Sequence, residues 1–70
     1  MEARDQLGAN IRRIRRAAGL SQMELSDRCG LHFSEISRLE RGRRDAQLST
    51  IVKLARGLGV APAELLAGIS

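Results

Sequence analysis

Four arginines, Arg38, Arg41, Arg43 and Arg44, fall in one short stretch of the chain. A guanidinium is planar, permanently charged and forked, so it suits phosphate or carboxylate oxygens. A cluster of them points to a polyanionic partner. The other reactive side chains offer less. His32 is the single histidine, and one imidazole makes no metal site. Cys29 is the single cysteine, which excludes an internal disulfide and a zinc site built on several thiolates. Ser34 has no base and no orienting group beside it in sequence, so a nucleophile is not expected. The residues point to binding, not to catalysis, and no cofactor is expected.

Composition sets the frame. Twelve Lys and Arg stand against eight Asp and Glu, a net charge of +4. Lys53 is the sole lysine and Phe33 the sole aromatic. Seventy residues support one core, so residues 1–70 are expected to form a single domain without a separate dimerisation unit. No apolar run approaches the ~20 residues of a spanning helix. The start, Met1-Glu2-Ala3-Arg4-Asp5, does not resemble a signal peptide. A cytoplasmic chain with no membrane partner is expected.

Glycine divides the chain. Gly19, Gly30, Gly42 and Gly59 each stand where a helical pattern stops. The first helix is expected over Glu2 to Ala18, with Leu7, Ile11, Ile14 and Ala18 as its apolar stripe. Arg15 falls at the edge of that stripe. Arg12, Arg13 and Arg16 fall away from it, more as a solvated face than as contacts. The second helix starts after Ser21, an N-cap with Glu24 at N3 and Leu20 and Leu25 as the staple. It ends at Cys29.

The third helix opens at His32, a weaker cap than serine, and runs to Arg41 with Ile36 and Leu39 inward. Arg43 to Gln47 is a polar loop. The fourth helix covers Leu48 to Leu58, with Leu48, Ile51, Leu54, Ala55 and Leu58 on one face. Gly57 should weaken it by roughly 1 kcal/mol relative to alanine. A short fifth helix runs from Pro62 to Leu66. No stretch alternates with the period of a strand, so the fold is all-α with five helices.

The second and third helices are separated by a short turn around Gly30, which makes a helix-turn-helix. Counting from Gln22, small Ser26, Gly30 and branched Ile36 fall at the fifth, ninth and fifteenth places. The chain resembles the Cro/repressor-type, or XRE, helix-turn-helix family. The resemblance lies in Leu20-Ser21-Gln22-Met23-Glu24-Leu25, Gly30-Leu31, Ile36-Ser37-Arg38-Leu39-Glu40-Arg41-Gly42 and Leu54-Ala55-Arg56-Gly57-Leu58-Gly59-Val60. It implies that the third helix lies in the DNA major groove while the second crosses the backbone.

Site residues follow from the resemblance one by one. Phe33, Ser34, Ser37 and Arg38 match the groove-facing places, with Arg38 the foremost base reader because arginine suits guanine O6 and N7. Gln22, His32, Arg41, Arg43 and Arg44 match places that meet phosphates. Arg15 and Glu40 match an ion pair tying the first helix to the third. The chain departs from the family pattern at three places. His32 replaces the usual Ser or Thr, and the usual loop proline is absent at Ala46-Gln47. Phe33 stands where Gln is frequent, and its ring could touch a thymine methyl or turn inward.

The expected function is a sequence-specific transcriptional regulator, a repressor-like homodimer on a two-fold related double-stranded operator. The interface is expected at the ends of the fourth and fifth helices: Leu58, Val60, Pro62, Leu65, Leu66 and Ile69. A phage-like repressor, a restriction-modification controller and an antitoxin all fit. The alternative is a protein-interaction module, such as an antitoxin or adaptor, with DNA binding secondary. Nonspecific binding through charge would explain the arginines but not the cap, the turn and the Ile-Ser-x-Leu-Glu-x-Gly spacing.

Overall fold

The Ser21 hydroxyl accepts a hydrogen bond from the Glu24 N–H at 3.0 Å, and the Glu24 carboxylate accepts one from the Ser21 N–H at 2.9 Å. This reciprocal cap starts helix α2, Gln22–Cys29. It satisfies donors that a helix end leaves without partners. The structure is a computed structural model describing residues 2–70. Its other helices are α1 (Ala3–Ala17), α3 (Phe33–Glu40), α4 (Leu48–Leu58) and α5 (Pro62–Leu65). Among the described residues there is no strand.

The turn between α2 and α3 depends on Gly30. Its φ of 77° lies in the left-handed region, which costs a residue with a Cβ and not glycine. Ser26 contributes more than small size here, because its hydroxyl donates to the Leu31 carbonyl in that turn. His32 caps α3 through its ring: Nδ1 accepts from the Ser34 N–H at 3.2 Å. An imidazole nitrogen thus replaces the usual hydroxyl.

Ile11, Leu25, Ile36, Leu39, Leu54 and Leu65 are fully enclosed and draw on every helix. α1 packs on α3, and α2 packs on both α3 and α4. The α1–α3 approach is close at Gly8, where a Cβ would run into the Leu39 carbonyl oxygen. α5 closes the base of the core with Leu65.

Several boundaries and faces differ from the sequence expectation. α1 is shorter by one residue at each end: Glu2 and Ala18 are its caps, and Ala18 is exposed. α3 stops at Glu40 and α5 at Leu65, with Arg41 and Leu66 as their C-caps. Leu48 is 75% exposed and outside the core, because the buried face of α4 centres on Thr50, Ile51, Leu54 and Leu58 and leaves Leu48 at its edge. In its place Thr50 is buried.

Candidate nucleic-acid interface

Glu40 is the hub behind α3. Arg15 Nε donates to its Oε2 at 2.6 Å and an Arg15 terminal nitrogen donates to Oε1 at 2.9 Å. The fork is bidentate, the geometry that fixes orientation as well as distance. Arg15 also donates to the Leu20 carbonyl at 2.8 Å. Gln22 Nε2 adds a bond to Glu40 Oε1 at 3.2 Å. One carboxylate therefore joins α1, the start of α2 and the end of α3. The side chains of Arg15 and Glu40 are 10% and 4% exposed, so the pair is shielded from water. Glu40 raises the Arg15 pKa through this hydrogen bond, against the opposing effect of burial.

α3 keeps Ile36 and Leu39 inward. Arg38 is exposed on the opposite side, with Ser34 and Ser37 half-buried beside it. Phe33 is 42% exposed at the start of α3, so its ring does not turn inward. It stacks against His32 with centroids 5.1 Å apart. His32 Nδ1 also lies 2.7 Å from the Ser34 hydroxyl. Phe33, Ser34, Ser37 and Arg38 thus share one helix that is braced from behind by Glu40.

The phosphate candidates flank that helix. Gln22 lies at its crossing with α2, held by Glu40. Arg41 caps α3 and its Nε donates to the Ser37 carbonyl at 3.3 Å. The backbone turns at once, with the Arg43 N–H donating to the Arg38 carbonyl at 3.0 Å. Arg43 and Arg44 then follow in the exposed loop. Arg44 leans toward Glu35, with Nε 4.0 Å from Oε2, a solvated pair.

The six apolar residues expected at an interface divide. Leu65 and Leu58 are 0% and 7% exposed and belong to the core, so they have no surface to give a partner. The expectation is corrected for these two: α5 is so short that its inward leucine is needed inside. Val60 and Ile69 are half-buried against the core. Pro62 is exposed and Leu66 is 42% exposed. Leu66 and Ile69 line a groove of about 250 Å³ with Ala3, Arg4, Leu7, Asp45 and Ala46.

Sequence reasoning missed Asn10. It is 3% exposed and its amide donates to the Leu65 and Ala67 carbonyls, both at 2.8 Å. Its oxygen accepts from Gln6 and Arg13. The tail carrying Leu66 and Ile69 is therefore tied to α1. A polar residue on the flank of the α1 stripe is the one signal that could have found it. Among the described residues no group of acidic, histidine or cysteine side chains could hold a metal. No helix there is long and apolar enough to cross a membrane.

Comparison with known proteins identifies the family and the fold. The Helix-turn-helix family model matches residues 11–65. The chain is 42% identical over 66 residues to the HTH-type transcriptional regulator y4dJ of Sinorhizobium fredii, covering 94% of this chain and 86% of that one. It is 42% identical over 60 residues to the control protein C.BamHI of Bacillus amyloliquefaciens, covering 84% and 74%. The crystal structure of the restriction-modification controller C.AhdI of Aeromonas hydrophila superposes with a TM-score of 0.86 at 40% identity, covering 89% and 94%. The chain belongs to the XRE-type helix-turn-helix family, whose members similar to it are transcriptional regulators.

Proposed function

We propose that this protein is a sequence-specific DNA-binding transcriptional regulator that acts as a homodimer on a two-fold related operator. The observation that carries the reading is the braced α3: an exposed face holding Arg38, with Glu40 clamped by Arg15 and Gln22 behind it. A rigid support of this kind fixes where the outward side chains stand, which base readout requires. Arg38 reads a guanine, and Phe33, Ser34 and Ser37 contact the neighbouring base edges. Gln22, His32, Arg41, Arg43 and Arg44 meet the phosphates on either side and set the register.

One short helix reads few base pairs, so two are paired about 34 Å apart, one DNA turn. Leu66, Ile69, Val60 and Pro62 are the surface available for that pairing. Similarity to a restriction-modification controller over nearly its full length favours a controller of that kind among the regulators.

Selection from randomised duplex DNA, with affinity followed against salt, tests this. A two-fold symmetric sequence should be enriched. Arg38→Ala should cost about 1–3 kcal/mol on it and relax one base position per half-site. Arg43→Ala should weaken all sequences alike and lower the salt slope by about one per half-site. Enrichment of no sequence, with binding that tracks charge alone, would reject the reading.

A further inference from the structure

Phe33 stands out on the outward part of α3. Among the base-contact candidates it alone lacks a donor or acceptor, while Ser34, Ser37 and Arg38 each have at least one. It is nevertheless 42% exposed at the first position of the helix. Its place is also fixed. The ring stacks on His32 at 5.1 Å with 30° between the planes. His32 in turn is anchored through Nδ1 to the Ser34 N–H and hydroxyl. The phenyl ring is therefore backed by an imidazole that the helix start itself holds.

A phenyl ring cannot satisfy the polar atoms of a base edge, and covering them without a partner costs free energy. The major groove offers one apolar group on its base edges, the C5-methyl of thymine. A cytosine methylated at C5 carries the same group at the same place on the ring. Any other base under Phe33 would lose a water contact and gain nothing.

We infer that Phe33 makes the protein a reader of a pyrimidine C5-methyl group, so that operator affinity depends on thymine or 5-methylcytosine at one position per half-site. The inference rests on the operator-binding reading and specifies its ligand. The His32 ring acts as the support that keeps Phe33 pointing at the groove.

The test uses the intact protein and the duplex enriched by selection. Each thymine is replaced in turn by deoxyuridine, which removes only the methyl. One position should weaken binding by about fourfold for each half-site substituted. Phe33→Ala should bind the thymine and deoxyuridine duplexes alike. In a duplex with cytosine at that position, C5 methylation should raise wild-type affinity by a similar factor and leave Phe33→Ala unchanged. Phe33→Leu, which keeps an apolar side chain, guards against a folding defect and should retain part of the discrimination.

If no deoxyuridine costs the wild type more than Phe33→Ala, or if methylated cytosine brings no gain, the inference is overturned while operator binding stands. If selection enriches no sequence, both fall together.

Discussion

Arg15 and Glu40 face each other across the α1–α3 contact, 25 residues apart in sequence, with two parallel hydrogen bonds of 2.6 and 2.9 Å. Their separation in the chain and closeness in space make them the link between the α1 scaffold and α3. Gln22 completes the link from α2. Without these bonds, α3 would be held on α1 and α2 chiefly by apolar contacts, which are not directional.

Removing one partner leaves the other buried and alone. Glu40→Ala is expected to destabilise the fold by about 3–5 kcal/mol, the usual result of breaking a buried pair. The charge on Arg15 gives no relief, since a guanidinium stays protonated at neutral pH even without the Glu40 carboxylate that raises its pKa in the wild type. Stability tied to that shift is fully present below the ordinary arginine range and is lost only above it. Urea denaturation at neutral pH reads the effect, and an unaltered midpoint would show that the pair adds nothing.

Gly57 is the penultimate residue of α4, and glycine inside a helix costs up to about 1 kcal/mol relative to alanine. Helix propensity alone therefore predicts a gain from Gly57→Ala. The packing predicts a loss. A Cβ at Gly57 would lie 2.9 Å from Cys29 Cβ and 3.3 Å from the Cys29 backbone nitrogen. Neither atom is the free end of a side chain, so α2 and α4 must separate. A net loss of about 1 kcal/mol or more is expected, since overpacking costs about 1–3 kcal/mol. Cys29→Ala keeps the Cβ and should not rescue the variant. A raised melting midpoint for Gly57→Ala would refute the close approach.

These two positions show what a single sequence reveals. The α2 cap was legible because Ser21 and Glu24 lie within one turn, where local chemistry decides. Arg15 was legible as an edge residue from periodicity, and its partner through the family pattern. Asn10 was not, because its partners are backbone carbonyls 55 and 57 residues away, and every residue has a carbonyl. Leu48 misled for the opposite reason. Periodicity places it on the apolar face, but nothing local says that the buried face of α4 shifts toward Thr50 and leaves Leu48 at its edge.

The capping box carries an acid-sensitive contribution. Hydrogen bonds from the Ser21 backbone and side chain hold the exposed Glu24 carboxyl below its ordinary range. A lowered folded-state pKa means that the unfolded chain takes up the proton first as pH falls. The contribution is thus complete above the ordinary glutamate range and disappears as pH falls through the lowered value. Glu24→Gln should flatten this part of the acid limb of a stability profile. Ser21→Ala keeps the backbone donor to Glu24, the larger of the two causes, so it should flatten the limb only in part, and it should also cost about 1 kcal/mol at neutral pH for the lost cap. An acid limb identical in wild type and Glu24→Gln would show that the carboxylate contributes no such linkage.

Leu65 and Leu66 are adjacent but should respond differently to substitution. Leu65 is fully enclosed, so Leu65→Ala should cost about 2–5 kcal/mol through lost burial and the cavity left behind. Leu66 is 42% exposed beside the groove that Ile69 also lines. A carboxylate there meets water in the protomer but would be buried in a dimer formed through this face, at a large cost. If the wild type pairs through this face, it should sediment as a dimer, and Leu66→Glu should keep the helical signal and sediment as a monomer at the same concentration. Its DNA affinity should fall with the loss of the second half-site. If Leu66→Glu sediments as the wild type does, the pairing surface lies elsewhere on the molecule.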